Sequence, residues 1–213
     1  MNIVVVGGGA VGKFGNDFVR HAKADGHEVR VISHRTSKDS DATINFLSVA
    51  EAVDKFTDIT RDLDRIDVLL YNSTHKGYPN GTDSFTSKSI IKEKLYVHGF
   101  YIQVLIPHAL SIEALKKMDD KSKIIFMTTD VIYDRERTEN LDKLGYYGGK
   151  AYQHQLMLAL AECNDKGATV SSVSPFFDYE GDSYSNAFTE VYQHIFGNTH
   201  NGKVFDCWEE YAR

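Results

Sequence analysis

The stretch from Met1 to Arg35 restricts the fold more than any other. Asn2-Ile3-Val4-Val5-Val6 is a β-branched apolar run that stops at Gly7-Gly8-Gly9-Ala10-Val11-Gly12-Lys13-Phe14-Gly15. Phe14, Phe18, Val19 and Ala22 then recur at helical spacing. A second strand pattern, Val29-Arg30-Val31-Ile32, ends at Ser33-His34-Arg35. Strand, glycine turn, helix and strand in this order open a βαβ unit of the dinucleotide-binding kind.

The rest of the chain repeats the alternation. Ala42 to Phe46 reads as a short third strand. Ser48 with Glu51 three residues on predicts a capped helix that runs to about Leu63. Asp67 to Asn72 is a fourth strand, apolar on both faces as a central parallel strand should be. Thr86 to Met118 reads as mostly helical, with Pro107 kinking or dividing it. Ile124 to Thr128 is a fifth strand, Tyr146 to Cys163 a helix, Val170 to Val173 a sixth strand, Tyr184 to Phe196 a last helix and Lys203 to Cys207 a seventh strand. Such an order predicts a Rossmann-like, doubly wound parallel sheet of about seven strands in three α/β/α layers.

Composition narrows the setting. With 213 residues, no repeat and no linker-like segment, one domain over 1–213 is expected. No apolar run reaches ~18 residues and no signal-peptide pattern opens the chain, so neither a membrane span nor export is expected. The two cysteines, Cys163 and Cys207, form no disulfide or metal pattern, which fits the cytoplasm. A formal net charge of −6 without a long basic run argues against a nucleic-acid partner.

Ligands of such sheets bind at the carboxyl ends of the strands. After the first strand, Gly7, Gly9 and Gly12 fit G-x-G-x-x-G, while Gly9, Gly12 and Gly15 fit G-x-x-G-x-x-G. Either set lets the backbone approach a pyrophosphate at a helix N-terminus. After the second strand no acidic residue awaits a ribose hydroxyl. The chain offers Ser33, His34 and Arg35 instead, with Lys13 in the glycine turn. A guanidinium there suits the 2′-phosphate of NADP(H), which is expected in preference to NAD(H). Tyr146 and Lys150 lie four apart on one helix face. An ammonium beside a phenol stabilises the phenolate, which makes tyrosine a workable acid for a carbonyl oxygen that receives hydride. Thr128-Thr129-Asp130 follows the fifth strand, where a hydroxyl can hold a substrate oxygen.

Together these segments resemble the short-chain dehydrogenase/reductase family over nearly the whole chain. Asp67-Val68-Leu69-Leu70-Tyr71-Asn72-Ser73-Thr74 is similar to the family's D-V-L-V-N-N-A-G, with Asn72 as its second asparagine. Ile124 to Thr129 resembles its I-V-N-x-S-S strand, Tyr146 and Lys150 its Y-x-x-x-K, and Leu95 to Phe100 the helix that carries V-N-x-x-G. Ser174-Pro175-Phe176-Phe177 stands where the family has its P-G after strand six.

The resemblance implies roles. Tyr146 exchanges the proton, Lys150 lowers its pKa and holds the nicotinamide ribose, and Thr129 positions the substrate oxygen. His98 stands in for the asparagine that completes the proton relay. Gly7, Gly9, Gly12, Lys13, Phe14, Gly15, Ser33, His34, Arg35, Asn72, Ser73, Pro175 and Phe176 would line the cofactor. Hydride transfer with a small carbonyl or alcohol substrate, and a homodimer or homotetramer paired through the two long helices, are implied as well. Two other functions remain open: an NADP-binding protein without turnover, and a sugar-nucleotide reductase or epimerase of the family's extended branch, whose S-T-D-Y-V-F-D stretch Thr128 to Asp134 resembles.

Overall fold

The computed structural model describes residues 1–7, 13–33, 40–45, 47–73, 97, 99–128, 144–174, 182–197 and 200–206, without the side chains of 13, 144–147, 182, 183 and 206. Seven strands are described: β1 (Asn2–Val6), β2 (Glu28–Ser33), β3 (Ala42–Thr43), β4 (Val68–Tyr71), β5 (Lys123–Met127), β6 (Thr169–Ser174) and β7 (Val204–Asp206). All pair in parallel, in the order β3-β2-β1-β4-β5-β6-β7. The order reverses between β1 and β4, which makes their carboxyl ends the switch point of a doubly wound sheet.

The helices are α1 (Lys13–Ala24), α2 (Val49–Ile59), α3 (Ile106–Leu115), α4 (Leu144–Cys163) and α5 (Asp182–Phe196), with a π-helical turn (Tyr101–Leu105) leading into α3. They cover both faces, because the central strands are apolar on both. Val4, Val6, Leu69, Tyr71, Ile124, Phe126 and Val170 pack against Phe56 of α2, Ile106 and Leu110 of α3, and Met157 and Leu160 of α4. Ile3, Val5, Val68, Leu70, Ile125, Met127 and Val173 pack against Phe14 and Phe18 of α1 and Phe188, Val191 and Ile195 of α5. Two phenol–carboxylate bonds join α5 to the α1 segment, Tyr184 Oη to Asp17 at 2.8 Å and Tyr192 Oη to Asp25 at 2.7 Å.

Three elements depart from the expected ones. The third strand pairs over only Ala42 and Thr43, although the Ile44 N–H extends it by one bond to the Ser33 carbonyl; Phe46 lies outside the described residues. Helix α2 begins where expected, with Ser48 Oγ accepting from the Glu51 N–H, but ends at Ile59 rather than Leu63. Beyond it the Arg61 and Leu63 N–H groups bond carbonyls three residues back, those of Asp58 and Thr60, and Lys117 Nζ gathers the carbonyls of Thr60, Arg61 and Leu63. The segment before Pro107 is wound wide rather than broken: the Ile106 N–H reaches back to the Tyr101 carbonyl. The proline ring crowds the carbonyl four residues back in a regular helix, and one extra residue in the turn relieves it. Residues 86–96 and His98 lie outside the described residues.

Gly7 closes the end of β1 at φ +90°. Its N–H donates to the Ile32 carbonyl at 2.8 Å. A Cβ there would lie 2.4 Å from the Ser73 backbone nitrogen. Gly7→Ala therefore meets both strain and a backbone clash, and is expected to lose roughly 2–5 kcal/mol in urea denaturation. Gly26 has the same backbone hand (φ +80°) with open space around it. Gly26→Ala is accordingly expected to lose only about 1–2 kcal/mol; equal losses at the two positions would contradict the close approach.

Candidate functional site

Sequence places the candidate residues at strand ends, and topology decides which of those ends are neighbours. Because β2, β1, β4 and β5 lie side by side, their carboxyl ends form one row with ~4.8 Å between strands. Gly7 ends β1. The Asn72 N–H donates to the Val6 carbonyl at 2.9 Å, and its side-chain amide donates to the Gly7 carbonyl at 3.2 Å. Ser73 packs its backbone against Gly7. Its hydroxyl is buried and has no hydrogen-bond partner among the described residues. At the end of β2, the buried Ser33 hydroxyl bonds Ser40 Oγ at 2.7 Å. Gly7, Asn72, Ser73 and Ser33 thus gather around the switch point.

The first turn of α1 contributes differently from what its sequence suggests. Gly15 is buried there. The Phe14 side chain belongs to the core, 5.5 Å from the Phe188 ring centroid and 6.1 Å from that of Phe18. It faces apolar neighbours, so its ring serves packing. Lys13 opens the helix, its side chain outside the described residues. Gly9, Gly12, His34, Arg35, His98, Thr129, Pro175 and Phe176 also lie outside them. Tyr146 stands in the first turn of α4 as backbone only.

Lys150 is the one candidate catalytic residue whose side chain is described. It leaves α4 toward the sheet and is 2% exposed. Its Nζ donates to the Met127 carbonyl at 2.5 Å and to Gln153 Oε1 at 3.0 Å. Met127 is the last residue of β5, two before Thr129, so the ammonium sits at the carboxyl end of the strand that leads to the expected substrate-holding hydroxyl. Burial disfavours the charged form and pushes the Lys150 amine down to about 7 from 10.5.

Sequence reasoning missed two buried glutamines near this lysine. Gln103, in the π-helical turn, is fully buried with neither amide atom hydrogen-bonded among the described residues. It occupies the space that a Cβ on Gly149 would fill, its Oε1 lying 1.6 Å from that position. Gln153, three residues after Lys150, is buried as well. Thr128, which the sequence does single out together with Thr129, is buried with no hydrogen-bond partner for its hydroxyl among the described residues. The available signal was polar residues at positions where helical and strand periodicity call for apolar ones.

The lysine gives a signed pH dependence. Between pH 7 and 10.5 the folded chain holds fewer protons at this group than the unfolded chain, so stability rises with pH through that window. Below pH 7 the full penalty of a buried ammonium applies. Lys150→Met removes the group, so the wild-type-minus-variant stability is expected to climb from neutral toward alkaline pH in parallel urea titrations. A flat difference would contradict a desolvated Lys150.

No family profile matches the sequence, and no curated protein matches it. Solved structures do match in fold. An oxidoreductase of the short-chain dehydrogenase/reductase family from Brucella ovis superposes with a TM-score of 0.76 at 15% identity, over 97% of this chain and 99% of that one. A Brucella ovis structure of the same family in complex with a partially ordered NAD gives 0.75 at 14% identity, over 96% and 98%. A short-chain dehydrogenase/reductase from Serratia marcescens gives 0.71 at 16% identity, over 96% and 94%. Over nearly its whole length, the chain has the Rossmann-like fold of short-chain dehydrogenase/reductase structures.

Proposed function

We propose that this chain, a single domain over 1–213, is a short-chain oxidoreductase that uses NADP(H) to interconvert a small carbonyl and its alcohol. The observation that carries the reading is Lys150, buried at the carboxyl end of β5 on the helix that presents Tyr146 one turn earlier. The residues present fit a dinucleotide. Gly7 and Asn72 draw the ends of β1 and β4 together, and the Ser73 hydroxyl, buried at that junction, lacks a protein partner among the described residues. Gly7, Gly9, Gly12 and Gly15, the Phe14 backbone, Ser33, Asn72 and Ser73 would hold the cofactor, with Pro175 and Phe176 beside its nicotinamide. Lys13, His34 and Arg35 would take its 2′-phosphate, which favours NADP(H) over NAD(H).

When bound, NADP(H) supplies the hydride. The protein's part is to move a proton and hold an oxygen. Thr129 holds the substrate oxygen, Tyr146 donates or accepts its proton, Lys150 adjusts the tyrosine and His98 relays the proton onward. Carbonyl-dependent NADPH oxidation is expected, with Tyr146→Phe slower by roughly 10²–10⁴-fold while NADPH binding is retained. Equal rates in wild type and variant would overturn the assigned chemistry. The inward turn of Lys150 onto Met127 and Gln153 also suits a second reading, an NADP-binding protein without turnover. That reading expects NADPH binding with no substrate oxidised or reduced by either protein.

Self-association and a cytoplasmic setting belong to the proposal. Val97 and Phe100, on the segment leading into α3, and Tyr152 and Leu158, on α4, are exposed apolar residues. The Phe100 and Tyr152 rings meet edge to face at 6.5 Å, so the two helices share one apolar surface. A second copy would cover it in a homodimer, or in a homotetramer built from such pairs. No described helix is long and apolar enough to cross a membrane. Sedimentation of wild type as a dimer or larger species, and of Phe100→Glu/Leu158→Glu as a monomer, is the expected result. A wild-type monomer at micromolar concentration would count against this surface as a contact.

A further inference from the structure

The buried face of α4 is apolar at Leu156, Met157 and Leu160, which join the core beneath the sheet. Gln153 falls on the same helical stripe, three and four residues before Leu156 and Met157, and is 1% exposed. A leucine there would pack without desolvating an amide. The glutamine leaves its Nε2 without a hydrogen-bond partner among the described residues, a burial that works against stability. Its Oε1 has one described task, to accept from Lys150 Nζ at 3.0 Å. Only the oxygen can do so, which fixes how the amide is turned. The same ammonium donates to the Met127 carbonyl at 2.5 Å. An ammonium is tetrahedral, so two N–H bonds held by fixed acceptors fix the direction of the third.

We infer that Gln153 is a positioning residue that, with the Met127 carbonyl, aims the Lys150 ammonium within the site. The inference rests on the proposed oxidoreductase reading and deepens it. Lys150 acts on Tyr146 through its orientation as well as its charge, and Gln153 sets that orientation while touching neither substrate nor cofactor. The π-helical turn supports the arrangement from the other side. Gln103 fills the space beside Gly149, the residue before Lys150, and so sets how closely α4 approaches the π-helical turn.

The test uses the full chain with ¹⁵N-labelled lysine, below pH 7, where the amine is protonated. In wild type the Lys150 ammonium is expected to give a resolved signal whose protons exchange slowly with solvent. Gln153→Leu, which keeps the volume and removes the acceptor, is expected to shift that signal and speed its exchange at least ~10-fold in a chain that still unfolds cooperatively in urea. Gln153→Glu, which restores an acceptor oxygen, is expected to recover the protection. In NADPH oxidation Gln153→Leu should lower kcat by ~10- to 100-fold, with Gln153→Glu regaining most of it. An unchanged ammonium signal in Gln153→Leu overturns the inference, and so does a kcat equal to that of wild type. If wild type reduces no carbonyl, the oxidoreductase reading fails, while the ammonium signal still decides whether Gln153 aims the lysine.

Discussion

The structure depends on how closely the carboxyl ends of β1 and β4 approach. Gly7 has no Cβ because the Ser73 backbone occupies that space, and its positive φ turns the chain out of the sheet. Asn72 binds back to the Gly7 carbonyl from the other strand. This junction marks the reversal of strand order, and hence the crevice that the fold offers a ligand. The apolar layers on both sides hold the two strands in register, from Ile3 opposite Val68 to Val6 opposite Tyr71.

The site's second half is a buried charge problem. An ammonium withdrawn from water is stable only where acceptors replace its hydration. Met127 and Gln153 supply two, and burial still leaves the amine near neutral pKa. A lysine poised to lose its proton near physiological pH differs from one held as a fixed charge. In the proposed chemistry, Lys150 stabilises the Tyr146 phenolate only while it holds its own proton, so its help fades as pH rises through about 7.

Much of the fold was legible because parallel strands buried on both faces read as unbroken apolar runs, and the helices between them carry clear stripes. Asn2–Val6 and Val68–Tyr71 show the first signal, Phe14, Phe18 and Ala22 the second. The departures arise where distant residues decide. Lys117 gathers the carbonyls that follow α2 from 57 positions away in sequence, and the wide turn at Tyr101–Leu105 accommodates Pro107 while it seats Gln103 against Gly149. Of the candidate site, the spacing of Tyr146 and Lys150 gave their shared helix face. It could not say that the ammonium turns inward, because Met127 and Gln153 determine that through packing. Phe14 stands both in the glycine turn and on the helical stripe, and its ring follows the stripe into the α1–α5 core.

The proposed dinucleotide site lies at the junction of β1 and β4. Calorimetric titration of NADP⁺ and of NAD⁺ into the purified chain tests it most directly. Saturable binding of both is expected, tighter for NADP⁺, with the preference lost in Arg35→Ala. No saturable heat from either dinucleotide would contradict a dinucleotide site at this junction.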